Sequence, residues 1–167
     1  MQQDYVLGFV FDLYAKKVLL MKKKKPEWQK DFFNGVGGKV ESDEDMYIAM
    51  ARECQEETSV ETHFLDWRHF CTMKGLNCPD GDWNVYCLSL HLTSPDMKVN
   101  FTTNEDELVL WFDLTDIQVM LPRLLGNIPW LIGMALDHRV NGNFEPPIIE
   151  YSGGFSLPLA LNTKSVL

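Results

Sequence analysis

The sequence has no apolar run long enough to cross a membrane as a helix. The longest candidate, residues 128–136, contains Pro129 and Gly133 and falls short of the about 18–20 residues that a span requires. The N-terminus lacks a basic segment and carries Asp4 ahead of its first apolar run, so a secretory signal is not expected. These absences predict a cytoplasmic protein with no membrane partner.

Cysteine is scarce and is not spaced for metal binding. The four cysteines form no C-x-x-C pair, and they show no zinc spacing with the four histidines. We therefore expect reduced thiols, with a bridge between Cys71 and Cys78 as the alternative.

Basic residues are outnumbered, with 15 Lys and Arg against 24 Asp and Glu and a formal net charge of −9. A protein that coats DNA or RNA needs a basic surface, so a nucleic-acid polymer is not an expected partner. An acidic protein can still bind an anionic ligand if a cation lies between them. The length of 167 residues with 46% hydrophobic residues suits a single domain spanning residues 1–167.

The residue pattern predicts more strands than helices. Val- and Phe-rich or aromatic segments predict strands at residues 5–12, 18–21, 61–71, 83–92, 108–114 and 148–151. Ser42 is a candidate N-cap for a helix that runs to about Thr58, and Asn127 for a helix that runs through His138. Residues 22–31, which include Pro26, predict a loop. The expected fold class is α/β in the broad sense, of the α+β or mixed type.

The first predicted helix carries three carboxylates on one face. Glu53, Glu56 and Glu57 lie within about 100° of one another at helical spacing. Toward the N-terminus the same face is apolar, through Met46, Ala49 and Met50. Three carboxylates at the edge of a core repel one another and resist desolvation, and a hard divalent cation removes both penalties. A solvated acidic helix end is the alternative interpretation.

The segment from Gly38 onward resembles the Nudix box, G-x5-E-x7-R-E-U-x-E-E-x-G-U with U aliphatic. The positions that match are Gly38, Glu44, Arg52, Glu53, Glu56, Glu57 and Val60. Two positions depart from it, because Cys54 replaces a bulky aliphatic residue and Ser59 replaces Gly. If position 59 needs a left-handed backbone, Ser costs about 1 kcal/mol there.

The resemblance implies a Nudix-type α/β/α sandwich with a mixed central β-sheet. It implies Mg²⁺ or Mn²⁺ as cofactor, held by Glu53, Glu56 and Glu57, with Glu53 also acting as general base. It further implies a Glu44–Arg52 salt bridge that orients the helix, which places Arg52 among the catalytic-site residues.

Two further metal contacts are expected from the resemblance. A backbone carbonyl of Gly37 or Gly38 is one candidate, because glycine allows a ligand to approach the main chain closely. An acid from residues 105–107 is the other, with Glu107 as the expected ligand and an acidic surface turn as the alternative.

Outside the box, the segments VLLMKK at residues 18–23, NGVGGKV at 34–40 and WFDL at 111–114 are similar to those of MutT-type enzymes, which hydrolyse oxidised purine nucleoside triphosphates. In that resemblance Asn34 contacts the base, but the paired Asp residues of the purine pocket are missing, since residues 120–124 read MLPRL. Phe33 and Trp83 are candidates for stacking on a base, with core positions as the alternative. Lys22 and Lys39 are candidate cations for the substrate phosphates.

The sequence therefore predicts a pyrophosphohydrolase that converts a nucleoside triphosphate, oxidised or ordinary, to a nucleoside monophosphate and pyrophosphate. An ADP-ribose or dinucleotide pyrophosphatase is the first alternative. The second is a nucleotide-binding Nudix module without catalysis, although such modules typically lose box glutamates. The expected assembly is a monomer or a homodimer.

Overall fold

The computed structural model describes residues 2–78, 81–94, 108–137 and 145–152. This part of the chain contains two α-helices and seven strands. In order they are β1 (Gln3–Asp12), β2 (Lys17–Lys22), β3 (Phe33–Asn34), α1 (Met46–Thr58), β4 (Arg68–Leu76), β5 (Trp83–Leu92), β6 (Leu108–Asp113), α2 (Ile128–Asp137) and β7 (Ile148–Ser152).

The strands form one mixed sheet in the order β3-β2-β1-β5-β4-β7, and β6 also pairs with β2. The β1–β5 and β4–β7 pairs are parallel, whereas β1–β2, β2–β3, β2–β6 and β4–β5 are antiparallel. The long parallel pairing, from Gln3↔Trp83 to Asp12↔Leu92, places β1 in the middle of the sheet.

The chain after β3 continues along β1 and brings the glycine-rich segment against it. The Val6 amide donates to the Gly38 carbonyl at 2.9 Å, and Gly8 and Val36 exchange hydrogen bonds of 2.7 and 3.0 Å. This segment therefore covers the N-terminal half of β1, while β2 pairs with residues 10–12.

Alternate residues of β1 point into two separate cores, as expected for a strand covered on both faces. Val6 and Val10 pack in the core that contains Ala49 and Met50 of α1, while Phe9 packs in the core that includes most of the buried face of α2. Helices cover both faces of the sheet, which confirms the predicted α/β/α sandwich with a mixed central sheet.

The N-cap of helix α1 lies three residues after Ser42, the predicted N-cap. Asp45 is the N-cap, because its Oδ1 accepts hydrogen bonds from the amides of Tyr47 at 2.8 Å and Ile48 at 3.0 Å. At the other end, Ser59 has φ 59° and its amide donates to Gln55 at 2.8 Å. Position 59, where the Nudix box has Gly, therefore has the left-handed backbone conformation that was considered for it.

Strand β4 is shifted from the predicted residues 61–71 to Arg68–Leu76. Phe64–Asp66 form a 3-10 turn, and the antiparallel pairing of Cys71 with Cys87 fixes the register of the strand. Helix α2 begins directly after Asn127, as predicted, although the buried Asn127 Oδ1 has no hydrogen-bond partner within the described residues. Neither described helix is long and apolar enough to cross a membrane.

Candidate metal and nucleotide site

Two glycines bring the backbone against the carboxylates of α1. Gly37 has φ 147°, a conformation that L side chains rarely adopt, and its amide donates to Glu57 Oε2 at 2.7 Å. At Gly38 an added Cβ would lie 2.5 Å from both carboxylate oxygens of Glu53. The absence of a side chain at Gly38 thus creates the recess in which Glu53 sits.

Glu57 is held by a cation as well as by this amide. Lys23 Nζ lies 3.2 Å from Glu57 Oε1, and the two side chains are only 12% and 17% exposed. Lys23 directly follows β2, and this position places its ammonium group beside the carboxylates of α1.

Arg52 organises the opposite side of the site. It binds Glu44 through two hydrogen bonds, Nη2 to Oε1 at 2.6 Å and Nε to Oε2 at 3.1 Å. Its Nη2 also donates to the Lys39 carbonyl at 2.8 Å, which ties α1 to the glycine segment. The Arg52 guanidinium lowers the pKa of Glu44, and the predicted Glu44–Arg52 salt bridge is present.

Glu53 is the most buried of the three glutamates of α1, with a side chain 12% exposed. Burial raises the pKa of Glu53, while the hydrogen bond from Arg52 Nη1, at 2.8 Å, opposes that increase. Glu56 is 60% exposed and lies 3.3 Å from the same Arg52 nitrogen. The continuous carboxylate face expected from helical spacing is therefore graded from buried Glu53 to exposed Glu56.

Each of these carboxylates contacts a cationic side chain in this structure. In the described part of the chain, no three acidic, His or Cys side chains converge as a metal cluster. The donor set still fits a hard divalent cation, because it consists of carboxylate and carbonyl oxygens. Two observations support that fit. Gly38 leaves a recess beside the Glu53 carboxylate, and each of the three glutamates already contacts a cationic side chain.

A cleft of about 390 Å³ lies beside the two glycines. Lys23, Lys25 and Trp28 line it from the loop after β2, and Tyr5, Leu7 and Val85 line it from the sheet, with amide side chains at Gln29 and Asn34. The combination of apolar walls, a few polar groups and cations next to carboxylates is typical of small-ligand pockets.

The predicted substrate residues separate into two groups. Asn34 lines the cleft, whereas Phe33 and Trp83 are 6% and 3% exposed, belong to the core and do not line the cleft. The Phe33 ring packs edge-on against Phe112 at 4.9 Å between centroids, and Trp83 packs on Tyr151 at 5.9 Å. The structure thus places both aromatic candidates in the alternative core positions.

The two lysine candidates lie outside the cleft lining. Lys22 Nζ pairs with Asp31 at 2.8 Å, and Lys39 is exposed, with its carbonyl rather than its side chain in contact with Arg52. Glu107, the predicted additional ligand, lies outside the described residues.

Sequence reasoning missed Lys23, Gln29 and Trp28 as cleft or site residues. Lys23 stood in the run at residues 22–25, where nothing local distinguishes one lysine from its neighbours. Gln29 and Trp28 lie in a 3-10 turn at Glu27–Gln29 within the predicted loop. Their only sequence signal was an aromatic residue and an amide close before Asn34.

Comparison with known proteins assigns the family. The model of the NUDIX domain matches residues 1–131, so the chain belongs to the Nudix family. No curated protein matches the sequence.

Solved structures share the Nudix hydrolase fold at low sequence identity. MutT from Aliivibrio salmonicida and Vibrio cholerae superimposes with a TM-score of 0.61 at 18% identity, covering 82% of this chain and 99% of that one. A bifunctional NMN adenylyltransferase/ADP ribose pyrophosphatase from Francisella tularensis, solved with AMP and a Mn ion, gives 0.66 at 21% identity, covering 83% of this chain. This chain spans 42% of the length of that Francisella protein. The NUDIX domain of Shewanella oneidensis NrtR, bound to ADP ribose, gives 0.60 at 19% identity over 84% and 88% of the two chains.

Proposed function

We propose that the chain is a metal-dependent Nudix pyrophosphohydrolase that cleaves a nucleoside triphosphate to a nucleoside monophosphate and pyrophosphate. The observation that carries the proposal is the position of the α1 carboxylates beside the glycine segment, at the edge of a cleft with apolar walls and two lysines. A nucleotide needs both parts, an apolar surface for its base and a cationic environment for its phosphates.

In this proposal Glu53, Glu56 and Glu57 hold Mg²⁺ or Mn²⁺. The Gly37 carbonyl is the better backbone ligand, because the Gly38 carbonyl already accepts the Val6 amide at 2.9 Å. Such an ion, when bound, neutralises phosphate charge and lowers the pKa of coordinated water. The charge surplus of −9 then agrees with an anionic substrate, because the ion lies between the two.

The remaining roles follow from the contacts of each side chain. Glu53 is the proposed general base, since it is mostly buried and fixed by Arg52 beside the Gly38 recess. Arg52 positions the site through its two bonds to Glu44. Lys23 lines the cleft and contacts Glu57, and its ammonium group is the proposed partner of a substrate phosphate.

The decisive experiment is to incubate the purified chain with Mg²⁺ and a substrate panel and to identify the products. The panel contains ordinary and oxidised dNTPs, ADP-ribose, NADH and dinucleoside polyphosphates. We expect release of pyrophosphate from a triphosphate, lost in the E56Q/E57Q double variant. Turnover that persisted in this variant would exclude the proposed metal site, and no turnover of any compound would favour a binding module.

ADP-ribose is the second candidate substrate. Two of the structural neighbours, the Francisella enzyme and the NrtR domain, are described with ADP ribose as substrate or ligand. The same panel distinguishes the two, because ADP-ribose cleavage yields AMP and ribose 5-phosphate rather than pyrophosphate.

A further inference from the structure

A second, smaller pocket of about 160 Å³ lies at the end of β2. Its lining consists of Lys22, Lys23, Lys24, Lys30, Asp31 and Leu108, and we call it the lysine pocket. Four cations and one anion give this lining a net charge of +3, in a chain whose formal net charge is −9. The lysine pocket is therefore strongly positive on a protein that is acidic as a whole.

Lys23 joins the lysine pocket to the larger cleft. It belongs to the lining of both, and its Nζ lies 3.2 Å from Oε1 of Glu57, a proposed metal ligand. Lys24 and Lys30, in contrast, line the lysine pocket but not the cleft. The lysine pocket thus begins one side chain away from the carboxylates of α1.

The ion pairs already present in the lysine pocket are open to water. Lys30 pairs with Glu27 at 3.4 Å, and the two side chains are 53% and 86% exposed. Lys22 pairs with Asp31 at 2.8 Å, and these side chains are 39% and 71% exposed. Exposed ion pairs contribute little to stability, so a multiply charged anion can replace the carboxylate partners at small cost.

The lining favours a compact polyanion over a nucleoside. Leu108 is the single apolar residue among the described residues that line the pocket, and the pocket has less than half the volume of the cleft. A base would therefore find little surface on which to stack. Each lysine ammonium is a compact point charge with three N–H donors, and a short phosphate chain supplies both the negative charges and the acceptor oxygens that such a group binds.

We propose that the lysine pocket is an oligophosphate subsite, which binds phosphates that extend beyond the metal-bound part of the substrate. The inference rests on the proposed function, since that function places the phosphates beside Lys23. Two sources supply the same chemistry. One is the pyrophosphate product, and the other is the distal end of a nucleotide chain with four or more phosphates.

The first test uses inorganic tripolyphosphate as the probe. It is titrated calorimetrically into the full chain without divalent ions, so that binding through a metal does not contribute. We expect the wild type to bind it and the Lys24→Met/Lys30→Met double variant to bind at least about tenfold more weakly, the effect of losing hydrogen bonds between charged groups. No binding by the wild type would overturn the inference.

The control variant, Lys16→Met/Lys17→Met, removes the same charge at the other end of β2. Lys17 lies about 17 Å from Lys22 at the rise of a strand, and exposed charges are largely screened beyond about 8 Å at physiological salt. The control should therefore weaken tripolyphosphate binding less than about threefold. An equal loss in both double variants would show only a response to net charge and would overturn the inference.

Kinetics separate the two sources. If the pocket holds the product, inorganic pyrophosphate inhibits triphosphate hydrolysis, and its inhibition constant rises at least about tenfold in Lys24→Met/Lys30→Met. If the pocket holds a longer chain, the wild type has a lower KM for a nucleoside tetraphosphate than for the triphosphate, and the double variant loses that difference. Neither effect, in a chain that hydrolyses triphosphates, would overturn the inference.

Failure of this inference can be told apart from failure of the proposed function. Tripolyphosphate binding that depends on Lys24 and Lys30, in a chain that hydrolyses no compound of the panel, would contradict the proposed function alone. Hydrolysis of triphosphates by a chain whose oligophosphate binding does not depend on these lysines would contradict only the subsite. Lys24→Arg/Lys30→Arg keeps both charges and should retain the affinity, which separates loss of charge from poor folding.

Discussion

Lys23 and Glu57 form a part-buried ion pair of 3.2 Å between the end of β2 and the last turn of α1. The same carboxylate accepts the Gly37 amide through its other oxygen at 2.7 Å. Both oxygens of a proposed metal ligand are thus engaged by protein donors. A divalent ion that binds Glu57 must compete with the Lys23 ammonium.

Lys23→Met should raise the affinity of the chain for Mn²⁺, because it removes both the competing contact and a positive charge beside the ion. It should also lower the free energy of unfolding of the metal-free protein by about 1–3 kcal/mol, since Glu57 loses its charged partner at a mostly buried position. Isothermal titration with Mn²⁺ and urea unfolding measure the two effects.

Lys30→Met is the control, because its pair with Glu27 is exposed and contributes less than about 1 kcal/mol. Unchanged or weaker Mn²⁺ binding in Lys23→Met would show that Lys23 does not compete.

Gly38→Ala should displace the Glu53 carboxylate, because the new Cβ would lie 2.5 Å from both of its oxygens. A shift of about 1 Å at a reacting group lowers kcat by about 100-fold, and we expect a loss of that order in steady-state hydrolysis, with weaker Mn²⁺ binding. The matched control is Gly133→Ala in α2, where no heavy atom lies within 4 Å of the added Cβ. That control should raise the free energy of unfolding by about 0.5–1 kcal/mol, as alanine does in helices. Normal activity in Gly38→Ala would mean that Glu53 need not occupy the recess.

Glu44→Gln should destabilise the protein by about 1–3 kcal/mol, because it leaves the Arg52 guanidinium without its two-bond partner. Glu56→Gln changes a 60% exposed contact of the same arginine and should change stability by less than about 1 kcal/mol. Urea unfolding of the two variants provides the comparison. Equal effects would indicate that Glu44 is no more important than a surface partner.

The pH dependence of this stabilisation has a definite sign. The pKa of Glu44 is lowered from an ordinary value of 4.5 by Arg52, so its contribution is complete above that value and is lost as pH falls through the lowered pKa of the folded state. The stability difference between the wild type and Glu44→Gln should therefore be constant near neutral pH and shrink below about pH 4.5. A difference that grew on acidification would contradict the assigned ion pair.

Ser59→Gly should stabilise the protein by about 0.5–1 kcal/mol, since glycine adopts φ 59° without the steric cost that serine pays there. Asn77→Gly is the matched comparison at φ 55°, where asparagine already tolerates the left-handed region. Thermal unfolding should show a gain at position 59 and little or none at position 77. Destabilisation by Ser59→Gly would mean that the serine side chain contributes more than its backbone strain costs.

Local sequence predicted the fold where the composition was distinctive and failed where the pairing partners decide. The Val-, Phe- and aromatic-rich composition of β1 and β5 gave their positions closely. The start of β4 was wrong, because pairing with β5 rather than β-branched composition sets its bounds. Asp45 replaced Ser42 as N-cap for a similar reason, since several acids and hydroxyls before α1 qualify locally and only the helix geometry selects one.

The candidate site could likewise be predicted only in part from the sequence. The resemblance to the Nudix box implied that Arg52 and Glu44 are partners, and Glu44 lies just before the helix that carries Arg52. Lys23 and Gln29 could not be predicted, because their roles depend on where the loop after β2 passes α1 and Asn34. The core positions of Phe33 and Trp83 depend on which face of the sheet each strand residue occupies, a choice that residue type alone leaves open.

The central position of β1 also determines when the site can form. This strand is synthesised before the other described strands, yet its pairing along its full length requires β5, which ends at Leu92. Until β5 has been made, one edge of the apolar strand β1 has no partner. The glycine segment, which hydrogen-bonds to the other edge of β1, then packs on an incomplete sheet. The cleft is therefore completed only when β5 has been made, after the carboxylate helix itself. A nascent chain shorter than residue 92 should have no organised nucleotide site, and the open edge of β1 is where such a chain would be most exposed to association with other strands.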